Sequence, residues 1–290
     1  EIRKIIKPLA IMFILMNCNM LYTNLDRLFM TGYSDGVYVT YYTFSQTIVN
    51  LVTNVLNSII LVTIPRLSYY FATERQELYN ELVQKSTSVF FMLSIPLCFG
   101  FYILSNVIMF LYGGTNYIAA GKTFGIFSLR MLIWLLDYVL VNQILFIQGY
   151  EKVITKMYFF GGGINIVLKI VLVLTNNLTS ETAIFTTAIS EAILIILEII
   201  TIKRGGIEGT KGLLKKYLKY FIVSICFIPI GWLNQNLFHI EYVLNLDLIK
   251  FVIVVVAESV CFYFTFLAIS KDDTFINCVQ RIFEKLKKKR

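Results

Sequence analysis

Polar side chains recur along one face of a predicted helix that is otherwise strongly apolar. Helical periodicity within residues 38–64 aligns Thr43, Gln46, Asn50, Thr53 and Asn57 in a narrow stripe, with Asn54 beside it. Amide and hydroxyl groups donate and accept hydrogen bonds, and contacts between helices would use only one or two of them. The stripe therefore predicts a hydrophilic lumen, in which Gln46, Asn50 and Asn57 contact a polar ligand.

Ionisable residues also interrupt the apolar sequence at helical spacing. Arg130 and Asp137 are two turns apart on one face, Glu191 and Glu198 are two turns apart on another, and Lys169 lies near the middle of a further span. A charge that faces lipid at mid-helix costs roughly 2.5–3.5 kcal/mol on insertion scales. We therefore expect these residues to face inward and to neutralise one another. A purely structural alternative pairs Lys169 with Glu191 or Asp137 to hold helices together.

Further candidates lie in other spans. Asn165 precedes the mid-span lysine by one turn, Glu258 is in the middle of the last span, and Asp26 and Arg27 lie near a span end, where side chains can reach the interface. A carboxylate at membrane depth can bind a coupling cation or a proton. The candidate charge partners or coupling-ion groups are Asp26, Arg27, Asp137, Glu191 and Glu258.

Eight apolar stretches of membrane-spanning length carry these residues. A helix needs about 20 apolar residues to cross the hydrocarbon core. The stretches cover roughly residues 8–30, 38–64, 87–111, 123–148, 157–175, 182–202, 220–238 and 248–269. Hydrophobic residues make up 57% of the chain, whereas ordinary soluble domains contain roughly 45–50% apolar residues. We predict an all-α polytopic membrane protein with eight transmembrane helices.

Positive charge alternates between the segments that join the spans. Of the 26 lysines and arginines, 21 lie in residues 1–7, 65–86, 149–156, 203–219 and 270–290, and the four intervening segments hold one. Positive residues stay cytoplasmic during insertion, so both ends of this chain are expected inside the cell. Topology and contact with membrane lipids explain the net charge of +8 without nucleic acid.

The glycines at 205, 206 and 209 suggest a soft boundary before the last two spans. We predict a six-helix transmembrane unit in residues 1–204, two additional helices in 205–270, and a basic amphipathic tail in 271–290 on the inner leaflet. The chain begins with Glu1 and its basic start runs straight into a span, so we expect further residues upstream.

Signatures of catalysis and cofactor binding are missing from the sequence. It contains no P-loop and no G-x-S-x-G elbow, and the Gly161-Gly162-Gly163 run lacks dinucleotide-binding spacing. One histidine and five scattered cysteines offer no metal-ligand spacing. The sequence favours a transporter over an enzyme, and no cofactor or metal is predicted.

Several short motifs resemble the lipid-linked oligosaccharide flippases of polysaccharide synthesis (the Wzx type), within the multidrug/oligosaccharidyl-lipid/polysaccharide exporter superfamily. The resemblance covers about residues 5–202, and the order and spacing of the motifs carry it. The motifs are Leu25-Asp26-Arg27-Leu28-Phe29-Met30, Gly36-Val37-Tyr38, Ile64-Pro65-Arg66-Leu67-Ser68, Gly149-Tyr150-Glu151-Lys152, Gly163-Ile164-Asn165 and Ala188-Ile189-Ser190-Glu191.

This resemblance implies two six-helix lobes around a cavity that opens alternately to either side, of which this chain holds the second lobe plus two helices. The implied cargo is an undecaprenyl-diphosphate-linked oligosaccharide in a bacterial inner membrane. Arg130 and Lys169 would bind its diphosphate, while Asn165 and the polar stripe would bind sugar hydroxyls. A proton or sodium ion could drive the cycle, and polysaccharide assembly proteins are possible partners.

Two alternatives stay open at this point. A cation-coupled multidrug or metabolite exporter of the same superfamily would need a net acidic cavity, and charge counts within residues 123–202 do not exclude one. A membrane glycosyltransferase or polymerase would use the same lipid substrate. Such enzymes usually carry catalytic groups in large outer loops, but the outer loops predicted here are short.

Overall fold

Helices form almost all of the chain that the structure describes. The computed structural model describes residue 6 and residues 24–207, 209–210, 212–238 and 241–287. We number the helices in chain order: residues 24–33 (α1, its described part), Gly36–Leu61 (α2), Ile64–Ala72 (α3), Gln76–Ile103 (α4), Ser105–Gly113 (α5), Ala120–Val139 (α6), Glu151–Leu174 (α7), Ser180–Gly205 (α8), Leu213–Ile225 (α9), Phe227–Phe238 (α10), Leu246–Ile269 (α11) and Asp273–Lys287 (α12).

Seven stretches within these described residues are long and apolar enough to cross a membrane. They coincide with the second to eighth predicted spans, so the all-helical, multi-pass prediction is confirmed for that part of the chain. The first predicted span, residues 8–30, lies outside the described residues except for 24–30. The expected cytoplasmic position of both chain ends stays a prediction.

Local sequence explains why several spans consist of two helices. Pro65 lies in the first turn of α3, where its missing N–H needs no helical partner, so the chain restarts there after α2. Pro229 occupies the same kind of position in α10, directly after α9 ends at Ile225. Helix α6 continues into a π-helical turn, Leu140–Leu145. Such turns lie frequently at functional sites.

Helices α4 and α6 form the centre of the bundle. In the 18-residue apolar stretch of each helix, the buried share is 61% in α4 and 72% in α6, against 17% in α7 and 22% in α11. Helix α6 packs against α2, α4, α5 and α8, and α9 packs along α4. Side chains that project from α6 are therefore fixed from several directions, which suits a helix that positions a binding site.

A glycine allows α5 and α6 to approach closely. A Cβ atom on Gly121 would lie 2.7 Å from the Cα atom of Asn106, which is closer than real Cβ atoms come. The obstructing atom belongs to the backbone, so a side-chain rotation cannot relieve the clash. Close helix packing through small residues is common in membranes because it increases van der Waals contact.

The tail helix α12 is attached to α9 through one carboxylate. Asp272 accepts hydrogen bonds from Lys219 Nζ at 2.6 Å and from the backbone N–H groups of Thr274 and Phe275, both at 3.1 Å. Burial raises the pKa of Asp272, but these bonds and the lysine charge outweigh burial and hold the pKa below its usual range. The predicted separation of a six-helix unit, two helices and a tail stays a prediction.

The alternation of charge generates a topology test. In a cysteine-free background, we expect cysteines introduced by Asn116→Cys and Asn177→Cys to react with a membrane-impermeant maleimide in intact cells. Cysteines introduced by Lys152→Cys and Lys215→Cys should react only after permeabilisation, because basic loops stay cytoplasmic. All four positions are exposed. The reverse labelling pattern would contradict the predicted orientation.

The α5–α6 contact generates a stability test. Gly121→Ala should destabilise the protein by about 1–3 kcal/mol, since the added methyl group overpacks the contact. The matched control is Gly162→Ala in α7, where a Cβ atom meets no heavy atom within 4 Å. Thermal unfolding of the purified protein in detergent measures both changes. Equal unfolding temperatures for the two variants would show that the α5–α6 contact can relax.

Candidate functional site

A polar cavity of about 490 Å³ lies between α1, α2 and α6. Two arginines and a set of amide and hydroxyl side chains line it, and its other walls are apolar or aromatic. None of the described lining residues is acidic. The lining residues are Asn24, Arg27, Gln46, Val49, Asn50, Thr53, Asn54, Phe127, Arg130, Met131 and Trp134.

The cavity uses the middle of the polar stripe predicted on α2. Gln46, Asn50, Thr53 and Asn54 line the cavity, whereas Asn57 is not among the lining residues. Asn50 and Asn54 are exposed. An exposed amide at membrane depth is costly against lipid, so this face of α2 is suited to water or a polar ligand.

The two arginines of the cavity differ in their partners. The Arg130 guanidinium forms a two-point ion pair with Glu191 on α8, with N–O distances of 2.9 and 2.5 Å. Arg27 is exposed, and its one described side-chain hydrogen bond is to Gln46 Oε1 at 3.3 Å. Arg130 is therefore largely neutralised, while Arg27 has no carboxylate partner among the described residues and brings its positive charge into the cavity.

Lys169, predicted to bind the ligand, lies outside the cavity in an enclosed polar cage. Its ammonium pairs with Asp26 Oδ1 at 3.1 Å and donates to Thr186 Oγ1 at 2.6 Å and to the carbonyl oxygen of Ala183. Lys169 and Asp26 are both fully buried. The structural alternative that paired Lys169 with Glu191 or Asp137 was wrong in its partner, because α1 supplies the carboxylate.

Asp26 lies near a predicted span end, where its side chain could reach the interface, but in the structure it is buried within the bundle. Its carboxylate accepts hydrogen bonds from Tyr42 Oη at 2.8 Å, from Thr187 Oγ1 at 2.7 Å and, more weakly, from Asn165 Nδ2 at 3.4 Å. Asn165 is fully buried and contacts this cluster instead of the cavity. Successive residues of α1 thus point in different directions, with Asp26 facing the bundle and Arg27 the cavity.

The remaining candidates also lie away from the cavity. Asp137 is buried and accepts hydrogen bonds from Tyr158 Oη at 3.0 and 3.2 Å. Glu258 on α11 accepts a hydrogen bond from Asn234 at 2.6 Å and is exposed. The described residues therefore bring Gln46, Asn50 and the two arginines together at one cavity.

Sequence reasoning did not select five of the lining residues, which are Asn24, Val49, Phe127, Met131 and Trp134. Asn24 lies one turn before Arg27, and Phe127 and Trp134 lie about one turn before and after Arg130. Helical spacing of three or four residues places each on the face of its neighbouring arginine. That spacing was the available signal, but aromatic residues within an apolar span are usually packed in the core.

Comparison with known protein families gives a match over most of the chain. The sequence model of the family described as the lipid II flippase MurJ matches residues 1–253 of this chain. A search of curated proteins found no match.

The buried Arg130–Glu191 pair generates a stability prediction. Glu191→Gln leaves a buried arginine uncompensated and should destabilise the protein by about 3–5 kcal/mol, measured by thermal unfolding in detergent. The double variant Arg130→Met, Glu191→Leu should recover most of the loss, since neither charge then remains. Lys85→Met, which removes an exposed pair with Glu81, is the control and should have little effect. A double variant no more stable than Glu191→Gln would contradict the assigned pairing.

Proposed function

Because the chain belongs to the lipid II flippase MurJ family, we propose that the cavity between α1, α2 and α6 binds the diphosphate and sugar headgroup of lipid II during flipping. Membership makes the protein a transporter of a lipid-linked precursor across the membrane, and not an enzyme.

The exposed positive charge of Arg27 in the cavity is the observation that carries this proposal. A diphosphate needs cationic donors, and the planar guanidinium offers two parallel N–H groups that match phosphate oxygens. Arg130 lies on the opposite wall and keeps its orientation through Glu191. It can therefore add directed N–H groups to the site, although most of its charge is balanced.

Amide side chains suit the sugar part of such a ligand. Gln46, Asn50 and Asn54 provide donors and acceptors that adapt to hydroxyl groups. Trp134 adds an aromatic surface on the α6 side. Bacterial inner-membrane localisation and alternating exposure of the cavity to the two sides of the membrane follow from the same proposal.

An undecaprenyl-diphosphate-linked oligosaccharide for surface polysaccharide is the second candidate substrate. The motif resemblance to Wzx-type flippases favours it, and uncharged amides do not discriminate between sugar headgroups. Both substrates share the diphosphate that Arg27 is proposed to bind. They are distinguished by supplying each lipid separately.

The lining of the cavity argues against the cation-coupled drug exporter. Cationic amphiphiles need acidic groups, and the described lining residues include two arginines and no carboxylate. The family match also favours a lipid-linked precursor over small molecules.

Lys169 has a different role in this proposal from the one expected on sequence. Its ammonium is enclosed by oxygen atoms and paired with Asp26. We therefore assign it to holding α7 and α8 against α1, and assign diphosphate binding to Arg27.

Replacement of Arg27 tests the proposed site. Arg27→Ala should reduce flipping of fluorescent lipid II in reconstituted vesicles by about 10-fold or more, as expected for loss of a charged hydrogen bond of about 1.5–3 kcal/mol. Arg27→Lys keeps the charge but loses the two parallel N–H groups of the guanidinium, so it should give an intermediate rate. Arg75→Ala is the control, because Arg75 is exposed on the turn between α3 and α4 and outside the cavity.

The same vesicles distinguish the substrates. Flipping of lipid II but not of an oligosaccharide-linked carrier supports the first candidate, and the reverse supports the second. Wild-type rates in Arg27→Ala with both lipids would exclude Arg27 as the diphosphate-binding residue.

A further inference from the structure

Helices α6 and α8 meet through two pairs of ionisable side chains that repeat after seven residues. In the first pair, Arg130 and Glu191 have opposite charges and form the ion pair described above. Seven residues further along each helix, Asp137 faces Glu198, and both side chains are carboxylic acids. Two helices that pack at a shallow angle keep such a register over two turns, so the second pair results from the same packing.

The acidic pair is enclosed. Asp137 is 6% exposed and Glu198 is 1% exposed. The two carboxyl groups are neighbours across the α6–α8 contact, and Tyr158 on α7 donates a hydrogen bond to Asp137. Among the described residues, no donor reaches Glu198 Oε2. Two neighbouring carboxyl groups can form a hydrogen bond with each other only when one of them carries a proton.

Among the described residues, no cation faces the pair that would allow both groups to ionise. The ionisable groups that face the pair are Tyr158 from α7 and Glu191 from α8, and the charge of Glu191 is engaged by Arg130. On α2, Tyr42 bonds to Asp26 and does not reach the pair. Among described contacts, α4 presents no ionisable side chain to it. Two adjacent carboxylates without a cation in a low-dielectric site cannot both be charged.

We propose that Asp137 and Glu198 form a proton-binding site whose occupancy holds α6 against α8, and that this proton is the coupling ion of the transport cycle. The coupling role rests on the proposed flippase function, whereas proton binding does not. Glu198 carries the proton and donates to Asp137, whose carboxylate also accepts from Tyr158. Loss of this proton places two like charges side by side, and their repulsion separates the helices.

The position of the pair explains how proton exchange is linked to a change of conformation. Glu198 lies between one and two turns from Lys203 and Arg204, at the basic end of α8. The pair is sealed from solvent in this conformation, so a proton can enter or leave only when α6 and α8 move apart. Binding that is possible in one conformation and blocked in the other is the requirement for coupling.

Infrared spectroscopy of the purified full-length protein in lipid nanodiscs tests proton binding directly. The wild type should show the carbonyl stretching band of a buried protonated carboxylic acid at neutral pH. Glu198→Gln, which keeps the shape and hydrogen bonding of the protonated acid, should abolish this band. Glu81→Gln is the control, because Glu81 is an exposed carboxylate on α4, and it should leave the band unchanged.

Two results would overturn the site. One is a band that persists in the Glu198→Gln variant. The other is a wild type without the band whose carboxylate bands shift on addition of sodium, which would assign the pair to a metal cation.

Transport under an imposed pH gradient tests the coupling role. The gradient should accelerate wild-type flipping of lipid II severalfold, whereas the Glu198→Gln variant should flip at a rate that the gradient does not change. An equal gradient response in both proteins would overturn coupling through this pair. If wild-type protein shows the expected infrared band but flips neither lipid-linked substrate, the proposed function fails and the proton-binding site stands.

Discussion

The low dielectric of the membrane interior decides how the charged side chains of this bundle are arranged. A charge that is stable in water is costly there unless an opposite charge or several hydrogen bonds accompany it. Lys169 with Asp26 and Arg130 with Glu191 meet this requirement through ion pairs, and the proton that we propose for Asp137 and Glu198 would meet it there. These contacts join α1, α6, α7 and α8, so the helix arrangement depends on them.

The same constraint separates structural charges from functional ones. Asp26 and Arg27 are adjacent, but the helix directs one side chain into the bundle and the other into the cavity. Asp26 fixes α1 against α7 and α8, and this attachment determines where the guanidinium of Arg27 is presented. The proposed substrate site therefore depends on a neighbouring ion pair that the substrate need not contact. Because the acidic side chains Asp26 and Glu191 are paired inside the bundle, the cavity lining keeps the positive charge of Arg27.

Helix α6 connects the proposed substrate site with the proposed proton site. Its Arg130 lines the cavity and its Asp137 contacts Glu198 two turns away, just before the π-helical turn Leu140–Leu145. A shift of α6 relative to α8 would alter both contacts together, because the residues are on one rigid helix. Such a shared element gives a physical route for linkage between proton occupancy and the shape of the cavity.

The sequence by itself determined the helical class, seven of the spans within the described residues, and the polar face of α2, because each depends on local composition and helical periodicity. It also required the mid-span charges to face inward. It did not determine that Lys169 pairs with Asp26, that Arg27 rather than Lys169 lines the cavity, or that Asp137 meets Glu198. Periodicity gives the direction of a side chain on its own helix, but its partner depends on which helices pack together, at what depth and rotation. Those quantities are decided only by the tertiary structure.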